Sequence, residues 1–345
     1  MLIDIHHHYV PQRFIDLVRQ EGAKYQAVVY RDGPTGLESL AVGMTEPPPD
    51  RPLGRSFFAM EPGMYDLARH VQDMEEMGLD MAALSVSPLL YYYFVEAGLG
   101  LEVAQIINDS IHEAAQQHPD RFVGLGTVPL QDVDAAITEM ERCAKEYGFT
   151  GVEIGGSVNG RDLDAPEFDA FFQRAEALDQ LIFIHPVANP SPDRLTRYYT
   201  ENCIAFPLES GICANSLING GTLKRYPNIK ICFAHGGGIA PSLIGRWDHT
   251  WEVREEAQVA IDGPPSTYFK KLYFDDLVHS ETVLQGLVTI VGPERVVIGT
   301  DYNYDMGQYP PAEHRLDGVS LTTEERELIE HKTAARLLRI EDRIG

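Results

Sequence analysis

Short apolar runs recur along the chain, and amphipathic segments separate most of them. The runs predict eight strands, at 2–8, 81–87, 123–128, 151–156, 181–186, 230–235, 272–277 and 296–301. Apolar residues at helical spacing predict helices within 66–78, 101–117, 132–147, 166–178, 209–225, 242–257, 281–291 and 323–340. Eight strands that alternate with helices favour a parallel sheet closed into a (β/α)8 TIM barrel. An open doubly wound sheet is the alternative, but the residues after the first strand lack the glycine-rich turn that such a sheet uses for phosphate.

One region interrupts the alternation. Residues 25–63 are rich in proline and carry short alternating runs such as 27–30, which is typical of turns and hairpins. We therefore expect a single barrel over residues 1–345, distorted by a small insertion at 25–63 after the first strand and helix. Its place beside the barrel mouth predicts that it covers the active site or contacts another subunit.

Four predicted strands carry or end on residues that can bind a metal or move a proton. His6 and His8 lie in the first strand, His185 and His235 end the fifth and sixth, and Asp301 ends the eighth. Barrel enzymes build their active sites at the carboxyl ends of their strands. The pattern therefore predicts a metal-dependent barrel enzyme.

Spacing assigns these residues different roles. Residues two apart on a strand share a face, so His6 and His8 can bind one ion while His7 faces the other way. His185 and Asp301 complete a set that suits zinc, and also manganese, iron or cobalt. His235 precedes three glycines that leave its imidazole accessible, which favours a role in proton transfer.

Composition narrows the function classes. The 345 residues carry a formal net charge of −24, which argues against nucleic acid and anionic membranes as partners. The four cysteines show no CxxC pairing, as expected for reduced thiols in the cytoplasm. No apolar stretch approaches the roughly 18 residues that cross a bilayer, and no signal peptide is evident.

Several segments together resemble the amidohydrolase 2 group of the amidohydrolase superfamily, the branch of aminocarboxymuconate semialdehyde decarboxylase. The resemblance runs from residue 2 to about residue 340 and is weakest over 20–65. The matching segments are IDIHHHYVP, RFVGLGTVPLQ, EMERCAKEYGFTGVEIG, IFIHP, YPNIKICFAHGGG, KLYFDDLVHS and VVIGTDYNYDMGQ.

This resemblance implies a distorted barrel with one divalent metal ion, zinc first and manganese as the alternative, in a homodimer or larger homo-oligomer. The implied ligands are His6, His8, His185 and Asp301. His235 and Asp301 would be the catalytic residues. Arg246 and Arg254 would line the site of a small carboxylic acid substrate.

Two reactions remain open for this residue set. The first is non-oxidative decarboxylation of an aromatic or unsaturated acid that carries an oxygen near its carboxylate. The alternative is hydrolysis of an amide, lactone or C–C bond by metal-bound hydroxide. The resemblance favours decarboxylation.

The sequence departs from the family in its substrate-binding residues. Glu61 stands where the family has an arginine that reaches the neighbouring subunit's pocket and binds a substrate carboxylate. Its loss argues against a dicarboxylate substrate. The aromatic run 91–94 is a candidate wall of the pocket.

Overall fold

A computed structural model describes residues 1–31, 33, 36–47, 57–308 and 315–343 of the chain. The strands are β1 (Ile3–Tyr9), β2 (Ala27–Arg31), β3 (Glu38–Val42), β4 (Phe57–Ala59), β5 (Met81–Val86), β6 (Phe122–Gly124), β7 (Gly126–Thr127), β8 (Gly151–Gly155), β9 (Ser157–Val158), β10 (Arg161–Asp162), β11 (Leu181–His185), β12 (Lys230–Phe233), β13 (Tyr273–Asp275) and β14 (Val296–Val297). The helices are α1 (Gln12–Tyr25), α2 (Pro62–Tyr65), α3 (Leu67–Met77), α4 (Ala97–Gln117), α5 (Val133–Arg142), α6 (Asp169–Ala177), α7 (Phe206–Asn219), α8 (Thr222–Arg225), α9 (Ala240–Val253), α10 (Pro265–Phe269), α11 (Glu281–Val291), α12 (Thr323–Glu327) and α13 (Thr333–Leu338).

The parallel strands follow the order expected for a (β/α)8 barrel. One sheet runs β1-β5-β6 and the other runs β14-β13-β12-β11-β8-β7. β6 and β7 are two pieces of the third predicted strand, which is interrupted at Leu125, and the Leu125 amide still donates to Leu84 (3.0 Å). The predicted barrel is confirmed, with all eight strands in the expected order.

The two sides of the barrel are built differently. The wall, defined here as β8, β11 and β12, is a regular ladder: β11 pairs with β8 over five residues and with β12 over four. The seam, defined here as β1 and residues 296–302, is joined by isolated bridges at Asp4–Ile298 and His7–Tyr302. Only Val296–Val297 of the predicted strand 296–301 forms a regular strand.

An irregularity in β1 decides which side chains enter the barrel. The pairing of β1 with β5 shifts register between Asp4 and His7. Ile3 and Ile5 therefore pack in the apolar cluster at the bottom of the barrel, together with α13, and the following His6 also points inward. Such a bulge resets the alternation of the strand.

The insertion forms an antiparallel sheet in the order β2-β3-β4. This confirms hairpin structure for its described part, whereas residues 32, 34, 35 and 48–56 of the predicted insertion lie outside the described residues. Among the described helices, none combines the length and apolar character needed to cross a membrane.

Candidate metal centre and active site

Four side chains converge at the carboxyl ends of the barrel strands: His6, His8, His185 and Asp301. All four are buried, and each offers one ligand atom within 4.8 Å of the others. Two atoms that bind one ion at about 2.0–2.2 Å lie at most ~4.4 Å apart, so a contraction of roughly half an ångström would suffice. The structure thus brings together the four residues that the sequence nominated as ligands.

Each of the three imidazoles is oriented through its Nδ1 atom. His6 Nδ1 lies 2.7 Å from Asp275 Oδ2, His8 Nδ1 lies 2.9 Å from the Val86 carbonyl, and His185 Nδ1 lies 2.8 Å from the Pro186 carbonyl. These three partners are acceptors, so each Nδ1 carries the proton and donates it. The Nε2 lone pairs are left for a ligand, as is usual for metal-binding histidines.

The Nε2 atoms meet in an arrangement that demands positive charge. His6 Nε2 and His8 Nε2 are 3.0 Å apart, and Asp301 Oδ1 lies 3.3 and 3.2 Å from them. His185 Nε2 is buried and has no hydrogen-bond partner in the described part of the chain. Facing lone pairs repel one another unless a proton or a cation lies between them. The donor set fits one divalent metal ion.

The pKa shifts of the ligands also indicate that the site favours a positive charge. Burial lowers the pKa of His6, but Asp301 and Asp275 outweigh this effect and raise the pKa to about 10. Burial raises the pKa of Asp301, but His6, His235 and His8 hold it well below its usual range. Burial and the neighbouring imidazoles depress the pKa of His185. In the protein without metal, a proton on His6 thus supplies the positive charge of the cluster.

His235 stands beside the cluster at the start of a turn built from three glycines. Its Nε2 atom lies 3.5 Å from Asp301 Oδ2, and 18% of its side chain is exposed. The three glycines that follow all have positive φ, and a Cβ at Gly238 would lie 2.3 Å from the Pro207 carbonyl oxygen. The turn presents the imidazole to the open side of the cluster, where a proton can pass between His235 and Asp301.

Asp275 connects the turn of His235 to the ligand His6 through hydrogen bonds. Its Oδ2 atom accepts from His6, and its Oδ1 atom accepts from the Gly236 amide (2.8 Å) and the Leu277 amide (3.2 Å). Sequence reasoning missed this residue. The available signal was that Asp275 lies near the end of a predicted strand, like the ligands themselves.

The cluster opens into a cavity of about 1070 Å³ lined by His185, His235 and Asp301 at its floor. Glu61, Asp73, Glu76, Glu201 and Asp305 also line it. Among the described lining residues, the histidines apart, the only basic side chain is Arg69, and it pairs with Asp73 at 2.6 Å. The charged side chains of the described lining are therefore predominantly acidic.

The aromatic residues that line the cavity are not the ones that the sequence indicated. Tyr91, Tyr92 and Tyr93 are buried and do not line the cavity, so that expectation was wrong. Tyr91 instead donates to the buried Glu153 (2.5 Å). The aromatic residues along the cavity are Tyr198, Tyr199, Phe206, Tyr302 and Tyr304, and Tyr199 donates to Asp305 (2.9 Å).

The structure does not bring the two arginines to the cavity within one chain. Arg246 is exposed on α9. Arg254 follows α9, which ends at Val253 and not at the predicted residue 257, and it pairs with Glu256. Neither arginine lines the cavity. Their role in substrate binding stays a prediction.

Comparison with known proteins places the chain among decarboxylases. A family model described as Amidohydrolase matches residues 3–340. The chain is 33% identical over 327 residues to 2-amino-3-carboxymuconate-6-semialdehyde decarboxylase of Dictyostelium discoideum, covering 94% of this chain and 88% of the relative. The structure of 5-carboxyvanillate decarboxylase from Sphingomonas paucimobilis matches with a TM-score of 0.81 at 26% identity, over 98% of this chain and 99% of that one. A dihydroxybenzoic acid decarboxylase from Polaromonas sp. JS666, solved with manganese and 2-nitroresorcinol, matches with a TM-score of 0.75 at 22% identity, over 98% and 97% of the two chains.

Proposed function

The chain belongs to the amidohydrolase family, and we propose that it is a metal-dependent carboxy-lyase. Its substrate would be an aromatic or unsaturated carboxylic acid with an oxygen beside the carboxylate. The observation that carries this proposal is the convergence of three Nε2 atoms and one carboxylate at the floor of a large cavity. The decarboxylase relatives favour loss of CO2 over hydrolysis.

We propose that His6, His8, His185 and Asp301 hold one divalent ion, zinc or manganese. Imidazole and carboxylate ligands suit both metals. When bound, the ion supplies positive charge that stabilises the negative charge left as CO2 departs. The Nδ1 contacts of the three histidines fix their rings beforehand, so little reorganisation is needed on binding.

The proton balance of the reaction assigns roles to His235 and Asp301. Decarboxylation breaks the bond between the substrate carbon and the carboxylate, and the carbon takes up one proton. His235 faces the cavity and lies 3.5 Å from Asp301, so this pair can deliver the proton to that carbon. The uptake of one proton for each CO2 released closes the balance.

The cavity favours a substrate with a single carboxylate. A second carboxylate would meet the acidic side chains of the described lining, including Glu61 and Asp305. The only described basic lining residue apart from the histidines, Arg69, already neutralises Asp73. Electrostatic repulsion would therefore weaken binding of dianions.

We also propose that the protein is a homodimer or larger homo-oligomer in the cytoplasm. Of the 14 residues of α9 only Ala240 is fully buried, Trp247 and Trp251 are partly buried against the core, and Val253 is exposed. A second copy could cover this surface and approach the cavity with Arg246 or Arg254. The four free cysteines agree with a reducing compartment.

The test is a screen for CO2 release from hydroxybenzoates and muconate-type acids by the zinc- and manganese-loaded protein. We expect turnover of a monocarboxylic member, and a drop in kcat of about 10²–10⁴-fold for His235→Asn, because that variant retains the ligands but not the proton donor. Cleavage of esters or amides without CO2 release would contradict the proposal.

A further inference from the structure

A buried carboxylate on the outer face of the barrel ties together the two chain segments of the seam. The Asp4 side chain is fully buried and lies two residues before His6. Its Oδ1 atom accepts from the amides of His6 (3.0 Å) and Thr300 (3.0 Å). Its Oδ2 atom accepts from the Thr300 hydroxyl (2.6 Å) and lies 3.0 Å from His7 Nδ1. One carboxylate thus receives donors from both segments.

This carboxylate lies where the backbone pairing between the two segments is irregular. β1 and the chain after Val297 share two isolated bridges and three backbone hydrogen bonds, from the amides of Ile5 (2.9 Å), His8 (2.8 Å) and Asp301 (2.9 Å), but they form no regular strand pair. Three of the four ligand side chains, those of His6, His8 and Asp301, come from these two segments. A change in the spacing of the two segments would therefore displace the ligand atoms of the proposed metal site.

The conformation of Asp301 adds to the need for support. Its φ is +56°, in the left-handed region, which residues other than glycine hold only when their surroundings fix them. The Thr300 hydroxyl donates to Asp4 and also accepts from the Tyr302 amide (3.2 Å), so it holds the chain on both sides of Asp301. The Asp301 amide itself donates to the His6 carbonyl (2.9 Å).

We propose that Asp4, acting through Thr300, is a positioning residue that sets the distance between His6 and Asp301 and thereby the affinity of the site for its metal. The Asp4 carboxylate lies on the outer side of the seam and does not contact the ligand atoms of the cluster. This inference rests on the proposed metal site but not on the proposed reaction.

The experiment measures metal binding by the full chain without substrate. The protein is stripped of metal and titrated with Zn²⁺ against a chelator, and the visible spectrum of the Co²⁺-loaded protein reports the coordination geometry. We expect Asp4→Asn to weaken binding about 10–100-fold, the range for partners of metal ligands. Thr300→Val removes the tie without changing charge, so we expect about a fivefold loss, the scale of one hydrogen bond. Both variants should alter the Co²⁺ spectrum, and Thr300→Ser should restore it.

Glu139→Gln is the matched control. Glu139 is also a buried carboxylate with several donors, among them Asn108 and Arg142, but it is not part of the seam. We expect this variant to lower the melting temperature and to leave Zn²⁺ affinity within about twofold of wild type.

Zn²⁺ affinities within about twofold of wild type for Asp4→Asn and Thr300→Val, with an unchanged Co²⁺ spectrum, would overturn the proposal. If Asp4→Asn does not fold, the comparison of Thr300→Val with Thr300→Ser decides. Failure of the wild-type protein to bind a divalent metal would overturn the metal site as well, whereas failure to release CO2 would leave this inference standing.

Discussion

The wall and the seam both contribute ligands to the proposed metal site, but different interactions hold these ligands in place. The wall holds His185 at the end of a strand that pairs on both edges, so a regular backbone ladder fixes the position of its main chain. The seam holds His6, His8 and Asp301 on segments whose pairing is irregular, and the Asp4 carboxylate adds to the few backbone hydrogen bonds that join them. Gly299 lies so close to the cluster that a Cβ there would be 2.7 Å from the Asp275 Cβ and 2.9 Å from the His6 Cβ.

The difference shows that the irregular part of the barrel supplies most of the ligands. The regular ladder of the wall contributes one ligand, whereas the seam brings three side chains within ligand distance of one point. The bulge in β1 and the left-handed Asp301 achieve this at the seam. Buried side-chain hydrogen bonds then offset the cost of the irregular backbone.

His185→Ala should have the largest effect, and it tests the wall. We expect CO2 release to fall to the level of the metal-free protein, because the cluster loses a ligand. The melting temperature of the metal-free protein should change little, since the β11 ladder does not depend on this side chain. Metal analysis together with calorimetry checks both points. Retention of one tightly bound metal per chain would contradict the assigned ligand.

Asp275→Asn tests the point where the two regions meet. Asp275 contacts His6 of the seam and the Gly236 amide after β12 of the wall. We expect metal affinity to fall about 10–100-fold, because an amide polarises the His6 ring less than a carboxylate does. kcat at saturating metal should also fall, since the His235 turn loses an acceptor. An unchanged kcat in the metal-saturated variant would show that Asp275 does not influence proton transfer by His235.

Metal removal should make the stability of the seam depend on pH. The pKa of His6 is raised from 6.5 to about 10, so its protonated form stabilises the metal-free fold fully below pH 6.5. That contribution is lost as the pH rises through about 10. Bound metal replaces the proton, so the loaded protein should show no such loss. Thermal unfolding from pH 6.5 to 10 tests this, and a metal-free protein whose stability rises with pH would contradict it.

Tyr199→Phe should have the smallest effect. Its hydroxyl donates to Asp305 at the cavity edge, on the loop that follows the wall strand β11. Since the contact is exposed, we expect a loss in kcat/KM of about fivefold or less and no change in metal content. Steady-state kinetics and metal analysis measure the two quantities. Loss of metal from this variant would place the loop in the metal site itself.

The strand ends allowed the fold and the ligand set to be predicted from the sequence. Apolar runs that end in His185, His235 and Asp301 carry both pieces of information, because a parallel barrel gathers its carboxyl ends. The partners of these residues were not predictable. Asp4 and Asp275 act through contacts between distant segments, and sequence spacing does not report such contacts.

The residues around the cavity were the least predictable part. Tyr91 to Tyr93 follow a strand end but turn inward to contact Glu153 and the chain near Gly155, so the pattern misplaced the aromatic wall. Arg246 lies on α9 and Arg254 directly follows it, and a single sequence does not tell whether solvent or a second copy covers that surface. Glu61 lines the cavity of its own chain, whereas the resemblance implied the pocket of a neighbouring subunit for that position.

A crystal structure of the metal-loaded protein, with anomalous data on both sides of the metal absorption edge, tests the shared site most directly. We expect one anomalous peak per chain, at about 2.0–2.2 Å from the ligand atoms of His6, His8, His185 and Asp301. A stoichiometric metal whose peak lies elsewhere, or is not bound by the wall and the seam together, would contradict a single centre shared by the two regions.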